Sequence, residues 1–517
     1  MGTILPDVSY VYSEFLLQPK LQDKEPSIEG VDLSAPFARF KFDTSKTWRE
    51  QTLHRLNLAF MSSAMQSVTG HDMATALAKE GALGTVYCSQ TVESEAEMIR
   101  RVKRFKGGFV VPSVLSPGMT IAGAMEVAKR EGHGKYPVTE DGMPNGRLVG
   151  LLTEDLYSEK HAPSKVADRM IANDKPGDFD RLSRYIATDD EVGDDIRKAN
   201  NIMLERARSR VLLIVDKDYR LKCAVFRKDV EEHDRHKDKE LVDSQKRYEV
   251  AAAINTRDFE QRVPAVIDAG ARYLSIDSAQ GHTAWQADTL RWIKKKYGDD
   301  VKVVAGNFVT PEGFDFAVEH GADAVKVGIG PGSICITRAK FGVGAGQATA
   351  VRRIVERRDM YLKETGIYVP IIADGGIVNP SDAIIAYARG ADGIMMGRFF
   401  AGFHESPTDV ENQDIESKDG TKFTALVKPY WGEGSDRAKA WREGRYDQAD
   451  VEEGVEGYVP YKGRLADTFP IVLREIRTGI HKAGYKGIKD LNDNAQLMRQ
   501  TGASIREGNP HDVYRSQ

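Results

Sequence analysis

Only three cysteines occur in 517 residues, Cys88, Cys223 and Cys335, and they lie far apart. That scarcity excludes a disulfide framework and a clustered zinc site. It points to a reducing compartment, most simply the cytoplasm. Long apolar runs are missing too. No stretch reaches the ~18 apolar residues of a membrane span, so no transmembrane helix is predicted. The N-terminal residues lack a basic region followed by an apolar core, so no secretory signal is expected. The terminal Tyr514-Arg-Ser-Gln517 matches no targeting address. Charge is balanced, with 73 Lys and Arg against 77 Asp and Glu. The formal net charge of −4 gives no reason to expect a nucleic-acid partner.

What is present is a rhythm. Short β-branched runs at 273–277, 301–306, 324–328, 369–374 and 393–397 end in Gly, Asp or Asn. Amphipathic helices are expected between them, at 258–269, 311–320 and 381–389. Strands alternating with helices, the strands apolar throughout, indicate a parallel sheet. A closed eightfold (β/α) barrel and an open doubly wound sheet both fit. The barrel is favoured because distinctive polar residues follow several different strands, where barrel enzymes gather their chemistry. Residues 56–61 and 83–87 read as further strands of the same barrel, with helices at 71–80 and 93–105.

The middle changes texture. Two similar halves each carry apolar strands and a charged turn, one around Arg147-Leu-Val-Gly-Leu-Leu-Thr-Glu-Asp155, the other at 211–229. An internal duplication inserted in the barrel is the simplest reading. The limits predicted are 1–115 for the first part of the barrel, 116–232 for the insert and 233–517 for the rest. Residues 228–247 read as an exposed linker back into the barrel. Residues 404–450 show little periodicity, the mark of a mobile functional loop.

Chemistry concentrates in Gly328-Ile-Gly-Pro-Gly-Ser-Ile-Cys335. Its glycines let backbone N–H groups converge on a phosphate or cofactor, and its carbonyls can ligate a hard cation. Cys335 follows that turn as a candidate nucleophile, and nearby Arg338 would favour the thiolate. Asp277 ends one strand and Asp374-Gly-Gly-Ile377 another, and a carboxylate accepts from both hydroxyls of a ribose. Gly397-Arg398 ends the next strand, with Arg suited to phosphate. Trp285 and Arg257 are planar groups able to stack on an adenine. Two ribose acids with a phosphate cradle imply two nucleotides in one site.

These residues resemble the inosine 5′-monophosphate (IMP) dehydrogenases. The matching segments are Met61-Ser-Ser-Ala-Met-Gln-Ser-Val-Thr69, Asp277-Ser-Ala-Gln-Gly281, Ala305-Gly-Asn307, the Cys335 loop as far as Arg338, Gln347-Ala-Thr-Ala350, Ala373-Asp-Gly-Gly-Ile377, Met396-Gly397 and Arg445-Tyr446. They cover nearly the whole chain outside the insert, which resembles the paired CBS modules of that family.

The resemblance implies that Cys335 attacks C2 of the hypoxanthine ring, that hydride leaves to NAD, and that the thioimidate is hydrolysed to xanthosine monophosphate. This would be the first committed step of guanine nucleotide synthesis. Substrate would meet Ser333, Asp374, Gly376, Gly397, Arg398 and Tyr430, with Glu433 and Gly434 near its base. Cofactor would meet Arg257, Asp277, Ser278, Trp285, Asn307, Gly328 and Gly330. A potassium ion, K+, would sit on carbonyls of Gly330, Gly332 and Cys335. Glu507, Gly508 and Asn509 of a neighbouring subunit would complete that site, so a homotetramer is implied. Arg445 and Tyr446 on the flap would activate water. An Arg base has a pKa above about 12 and needs desolvation and a donor to hold its neutral form. Thr337 and Glu453 would supply another proton relay.

Several positions depart from the family pattern. Gln66 stands where many members carry Asp, and Arg398 where many carry Ser. In the insert, Asp155 follows Thr153 by two residues rather than three, and Phe226 replaces a Thr. A purine nucleotide is the candidate ligand there. Guanosine monophosphate (GMP) reductases share the barrel and the Cys loop but lack the water-activating Arg-Tyr pair. A nucleotide-sensing protein with a decayed site is a further alternative, opposed by the intact Cys335, Asp374 and Arg445.

Overall fold

The computed structural model describes residues 4–510 except 7, 23, 25, 53, 107, 132–133, 173–177, 194, 208–209, 237–238, 417–421 and 441–450. Among the described residues, no helix is long and apolar enough to cross a membrane.

The apolar runs become eight parallel strands: β1 (Phe60–Ser62), β2 (Leu83–Val86), β3 (Ala251–Ile254), β4 (Tyr273–Ile276), β5 (Lys302–Phe308), β6 (Ala324–Val327), β7 (Ile371–Asp374) and β8 (Gly393–Met396). Met395 of β8 lies opposite Met61 of β1, which closes the barrel. Helices such as His71–Glu80, Phe259–Asp268, Pro311–Glu319 and Pro380–Ala388 link successive strands. Their ends follow local chemistry. Thr310 caps the helix that Pro311 starts, accepting from the Gly313 N–H.

Strand alternation sorts the interior into layers. One buried cluster takes a residue from every strand: Met61, Leu83, Ala251, Tyr273, Val304, Ala324, Ile372 and Met395. Two residues further along each strand, the same inward face carries Ser63, Thr85, Ala253, Ser275, Gly306, Lys326, Asp374 and Gly397. The lower layer is apolar and packed. The upper one is polar and lies at the strand C-termini, where barrel active sites form.

Residues 103–238 with 242–248 form a separate compact unit. It holds a three-stranded sheet (Ile171–Ala172, Leu148–Leu152, Tyr136–Thr139) and a five-stranded one (Ile186–Thr188, Val211–Val215, Leu221–Phe226, Phe109–Val110, Phe105–Lys106). The span 116–232 falls inside this unit. Two short strands extend it upstream because Val110 pairs with Ala224. Much of the expected linker at 228–247 is helix instead. Arg227–His236 is helical, and its Val230 is buried, so the charged stretch has an apolar anchor.

The stretch 404–450 also holds regular structure. β9 (Glu411–Glu416) and β10 (Lys422–Trp431) pair as an antiparallel hairpin, and β11 (Glu456–Pro460) joins the far edge of β10. Lys428 of β10 is wholly buried, and its Nζ donates to the carbonyls of Phe403 at 2.7 Å, Ser406 at 3.0 Å and His404 at 3.2 Å. It thereby ties the sheet to the segment after β8. Burial pushes this ammonium down from the usual 10.5 to about 8, against the pull of Glu405 and Asp409. Lys428→Met leaves three carbonyls without their donor and is expected to cost about 2–4 kcal/mol in urea unfolding. The folded-state value lies below the unfolded one, so the buried charge is a burden at neutral pH that fades as pH rises. The wild type is therefore expected to gain stability over the variant from about pH 8 upward. A gap that narrows over that range contradicts the assignment.

Candidate active site

A cavity of about 340 Å³ opens at the strand C-termini, lined by residues that include Asp277, Lys326, Cys335, Thr337, Asp374, Glu433 and Glu453. A candidate nucleophile and two strand-end carboxylates thus share a single space. Ser278, Asn307, Gly328, Gly332, Gly397, Tyr430 and Gly434 line it as well.

The Cys335 loop folds as a turn, with the Cys335 N–H donating to the Gly332 carbonyl at 3.1 Å. Gly328 has φ +141° and Gly330 φ +75°, and a Cβ on Gly328 would lie 2.4 Å from the Asp374 carbonyl. Glycine is required there because the loop passes against the end of β7. The segment 453–455 is bridged to this loop. The Ile336 N–H donates to the Glu453 carbonyl at 3.0 Å, and the Val455 N–H to the Ile334 carbonyl at 2.9 Å. That pairing aligns three side chains. Cys335 Sγ lies 3.2 Å from Thr337 Oγ1, which donates to Glu453 Oε2 at 2.9 Å.

Arg338 makes its hydrogen bonds to the loop backbone and feels the Cys335 charge only at a distance. Its Nε donates to the Ile329 carbonyl at 2.7 Å and another guanidinium nitrogen to the Ala345 carbonyl. Burial pushes this guanidinium down in pKa, although the Cys335 charge pulls it the other way. Arg338 is a clamp on the loop backbone.

At the Asp374 end, Asn307 Nδ2 donates to Asp374 Oδ2 at 2.9 Å and to the Gly328 carbonyl at 2.7 Å. Lys326 Nζ stands 3.4 Å from the same carboxylate oxygen. Sequence reasoning passes over Lys326. Its signal is a lone cation inside the apolar run Ala324-Val-Lys-Val327, whose inward register only the barrel reveals. Gln347 opens one of the matching segments, yet the sequence alone assigns it no role. Its Nε2 donates to the carbonyls of Val327 at 2.7 Å and Asp374 at 3.1 Å, joining the ends of β6 and β7.

Beyond Asp374, Gly375 and Gly376 adopt φ +83° and +77°. Gly397 faces Tyr430, and a Cβ at Gly397 would lie only 2.9 Å from the tyrosine hydroxyl oxygen. Tyr430 is pushed up to about 12, chiefly by burial, while a hydrogen bond to Ser333 and the charge of Arg398 pull it back. Ser333 and Arg398 are both exposed. Tyr430, Ser333, Gly397 and Arg398 are thus neighbours, a set suited to a phosphate.

On the Asp277 side, Ser278 Oγ donates to the Gln280 carbonyl at 2.7 Å. Arg257 is exposed, and Trp285 leaves 70% of its surface open at the start of the helix Ala284–Tyr297. Glu507, Gly508 and Asn509 lie at the exposed end of the helix Gly502–Glu507. Arg445 and Tyr446 lie outside the described residues.

A family model described as the IMP dehydrogenase / GMP reductase domain matches residues 9–511. The chain belongs to this family. An inosine-5′-monophosphate dehydrogenase from Tritrichomonas foetus is 42% identical, over 98% of this chain and 96% of that protein. One from Chlorobaculum tepidum is 34% identical, over 89% and 90%. Among solved structures, a GMP reductase from Trypanosoma brucei in complex with guanosine 5′-monophosphate superposes with a TM-score of 0.79 at 26% identity, covering 98% of each chain. The barrel of the IMP dehydrogenase / GMP reductase family is therefore the fold found here. In this family setting Gly397→Ala is expected to weaken nucleoside monophosphate binding about tenfold, because overpacking costs about 1–3 kcal/mol. Isothermal calorimetry checks it, and unchanged affinity would remove Gly397 from the cradle.

Proposed function

We propose that this chain oxidises IMP to xanthosine monophosphate with NAD, and the observation that carries this is the Cys335–Thr337–Glu453 alignment inside a cavity walled by Asp277 and Asp374. Cys335 sulfur adds to C2 of the hypoxanthine ring and forms an S–C2 bond. The hydrogen on C2 departs with its electron pair, and NAD, when bound, supplies the acceptor. Water then adds to C2 of the resulting thioimidate, loses a proton, and the C–S bond breaks to return the sulfur. Arg445 and Tyr446 activate that water, and Thr337 with Glu453 offers a second route for its proton. Asp374 holds the substrate ribose, Gly376, Ser333, Gly397, Arg398 and Tyr430 its phosphate, and Glu433 and Gly434 its base.

The cofactor's place follows from the chemistry of the remaining residues. Asp277 would supply a second ribose acceptor, Trp285 and Arg257 would flank the adenine, and Ser278, Asn307, Gly328 and Gly330 would hold the rest of the cofactor. The left-handed turn at Gly330 suits a carbonyl site for K+, which Gly330, Gly332 and Cys335 would hold together with Glu507, Gly508 and Asn509 of the partner subunit in a homotetramer. Replacing K+ by Li+ in the assay buffer is expected to slow turnover, and restoring K+ to recover it. Equal rates in both salts would remove the cation. The insert is a pair of CBS-type modules with a purine nucleotide as candidate ligand, and residues 404–450 form the catalytic flap.

Reductive deamination of GMP is the second reading, supported by the fold match to a GMP reductase. The Arg445-Tyr446 pair and the 42% identity to a dehydrogenase weigh against it. Absorbance separates the two. NADH should accumulate with IMP and NAD. Consumption of NADPH with GMP, and no NADH from IMP, would reverse the assignment.

A further inference from the structure

Gln66, marked in the sequence only as a departure from its relatives, sits where three segments meet. Its backbone N–H donates to Glu433 Oε1 at 2.7 Å. Its side-chain Nε2 donates to the Ser89 carbonyl, in the loop after β2, at 2.9 Å. Its Oε1 accepts from the Trp431 indole N–H at 3.0 Å. Next to it, Ser67 Oγ donates to the Trp431 carbonyl at 3.2 Å. The loop after β1, the loop after β2 and the end of β10 are joined through one amide.

An amide satisfies both partners here. Its NH₂ gives one bond and its carbonyl oxygen takes another. A carboxylate could accept from Trp431 but could give nothing to the Ser89 carbonyl. It would also stand beside Glu433, which already lies in an acidic corner. Buried Cys88 feels that corner directly: after burial itself, the charges of Asp277, Glu95 and Glu433 push its thiol up, with Arg262 opposing. Another negative charge at position 66 would push Glu433 away from the cavity it lines.

We infer that Gln66 is a positioning residue that holds the Glu433 carboxylate over the substrate base, and that the neutral charge of residue 66 and the negative charge of Glu433 work as a pair. The inference rests on the proposed binding of a 6-oxopurine nucleotide. Such a base carries an N1–H donor, and a fixed carboxylate is a strong acceptor for it. Gln66 touches neither substrate nor the reacting atoms. Its effect runs through Glu433.

The test is a double-mutant cycle on the full-length chain, reading IMP affinity by calorimetry and KM and kcat by NADH absorbance. Gln66→Asp is expected to raise KM for IMP about tenfold while kcat changes less than about threefold. Glu433→Gln alone is also expected to raise KM. In Gln66→Asp/Glu433→Gln no carboxylate remains at 433 to be repelled, and KM is expected to stay within about threefold of that of Glu433→Gln alone. Gln66→Glu, which keeps side-chain length, serves if Gln66→Asp is shown by circular dichroism to be misfolded. Independent, multiplying effects on KM in the cycle, or an unchanged KM in the single variants, would overturn the pairing. A wild type that neither binds nor oxidises IMP would instead overturn the proposed reaction, and the two failures read out separately.

Discussion

Cys335→Ala is expected to lower turnover by roughly 10⁴-fold or more, the scale seen when a covalent nucleophile is removed. Hydride cannot leave C2 of an aromatic oxopurine until an electron-rich atom has added there, and Cys335 sulfur is the nucleophile that the cavity offers. Nucleotide binding should survive within about threefold, because most of the binding contacts belong to other residues. Asp374 and its partners Asn307 and Lys326 are untouched, as are Tyr430, Ser333 and Gly397. The turn itself should also persist, since Arg338 clamps it through backbone carbonyls and Glu453 pairs with it through Ile336. Calorimetry with IMP beside an NADH assay checks both halves. Turnover unchanged in the variant would sink the covalent mechanism. Loss of binding along with turnover would mean that the sulfur is needed for the shape of the site.

Arg445→Ala should separate the two chemical steps. In the proposed mechanism, addition and hydride departure use Cys335 and the cofactor, whereas hydrolysis needs activated water. The variant is expected to release about one NADH per site in a rapid burst and then turn over about 10²–10⁴-fold more slowly, the usual range for losing a general base. The residual rate should come from the second relay. Glu453 Oε2 accepts from Thr337 Oγ1, which stands beside the Cys335 sulfur proposed to carry the intermediate. Adding Glu453→Gln should therefore cut the residual rate further while leaving the burst. Stopped-flow absorbance measures both phases. A variant without a burst would place Arg445 in the first step, and a steady rate equal to wild type would remove it from catalysis.

Much of the architecture is legible in the sequence because apolar strands end in residues of unusual type. Asp277, Asp374 and Gly397 each follow such a run, and each lines the cavity. The strand Ala251–Ile254 escapes a sequence reading because alanine carries no β-branching. Its identity as a strand comes from β2 and β4 on either side. β9 is hidden for the opposite reason. It alternates between exposed and half-buried residues of which only Ile415 is apolar, so no hydrophobic period marks it. Lys326 depends on register, since the side of a strand that faces the barrel axis is set only when the ring closes. Arg338 shows the limit of sequence distance as a guide. It lies three residues from Cys335, yet its guanidinium bonds to backbone carbonyls. Glu453 lies far from Thr337 in sequence and within hydrogen-bond reach in space, because the chain at Gly454 pairs with the Cys loop. Gln66 looks like a neutral exchange until its three bonds are seen.

The central claim is that Cys335 carries the substrate as a covalent adduct between hydride departure and hydrolysis. The direct measurement is peptide mass spectrometry on the full chain, quenched in acid during steady-state turnover with IMP and NAD. The account predicts a nucleotide adduct on the peptide containing Cys335, more abundant in Arg445→Ala and absent from Cys335→Ala. NADH production with no adduct on that peptide in the Arg445→Ala variant, or an adduct on Cys88 or Cys223 instead, would contradict it.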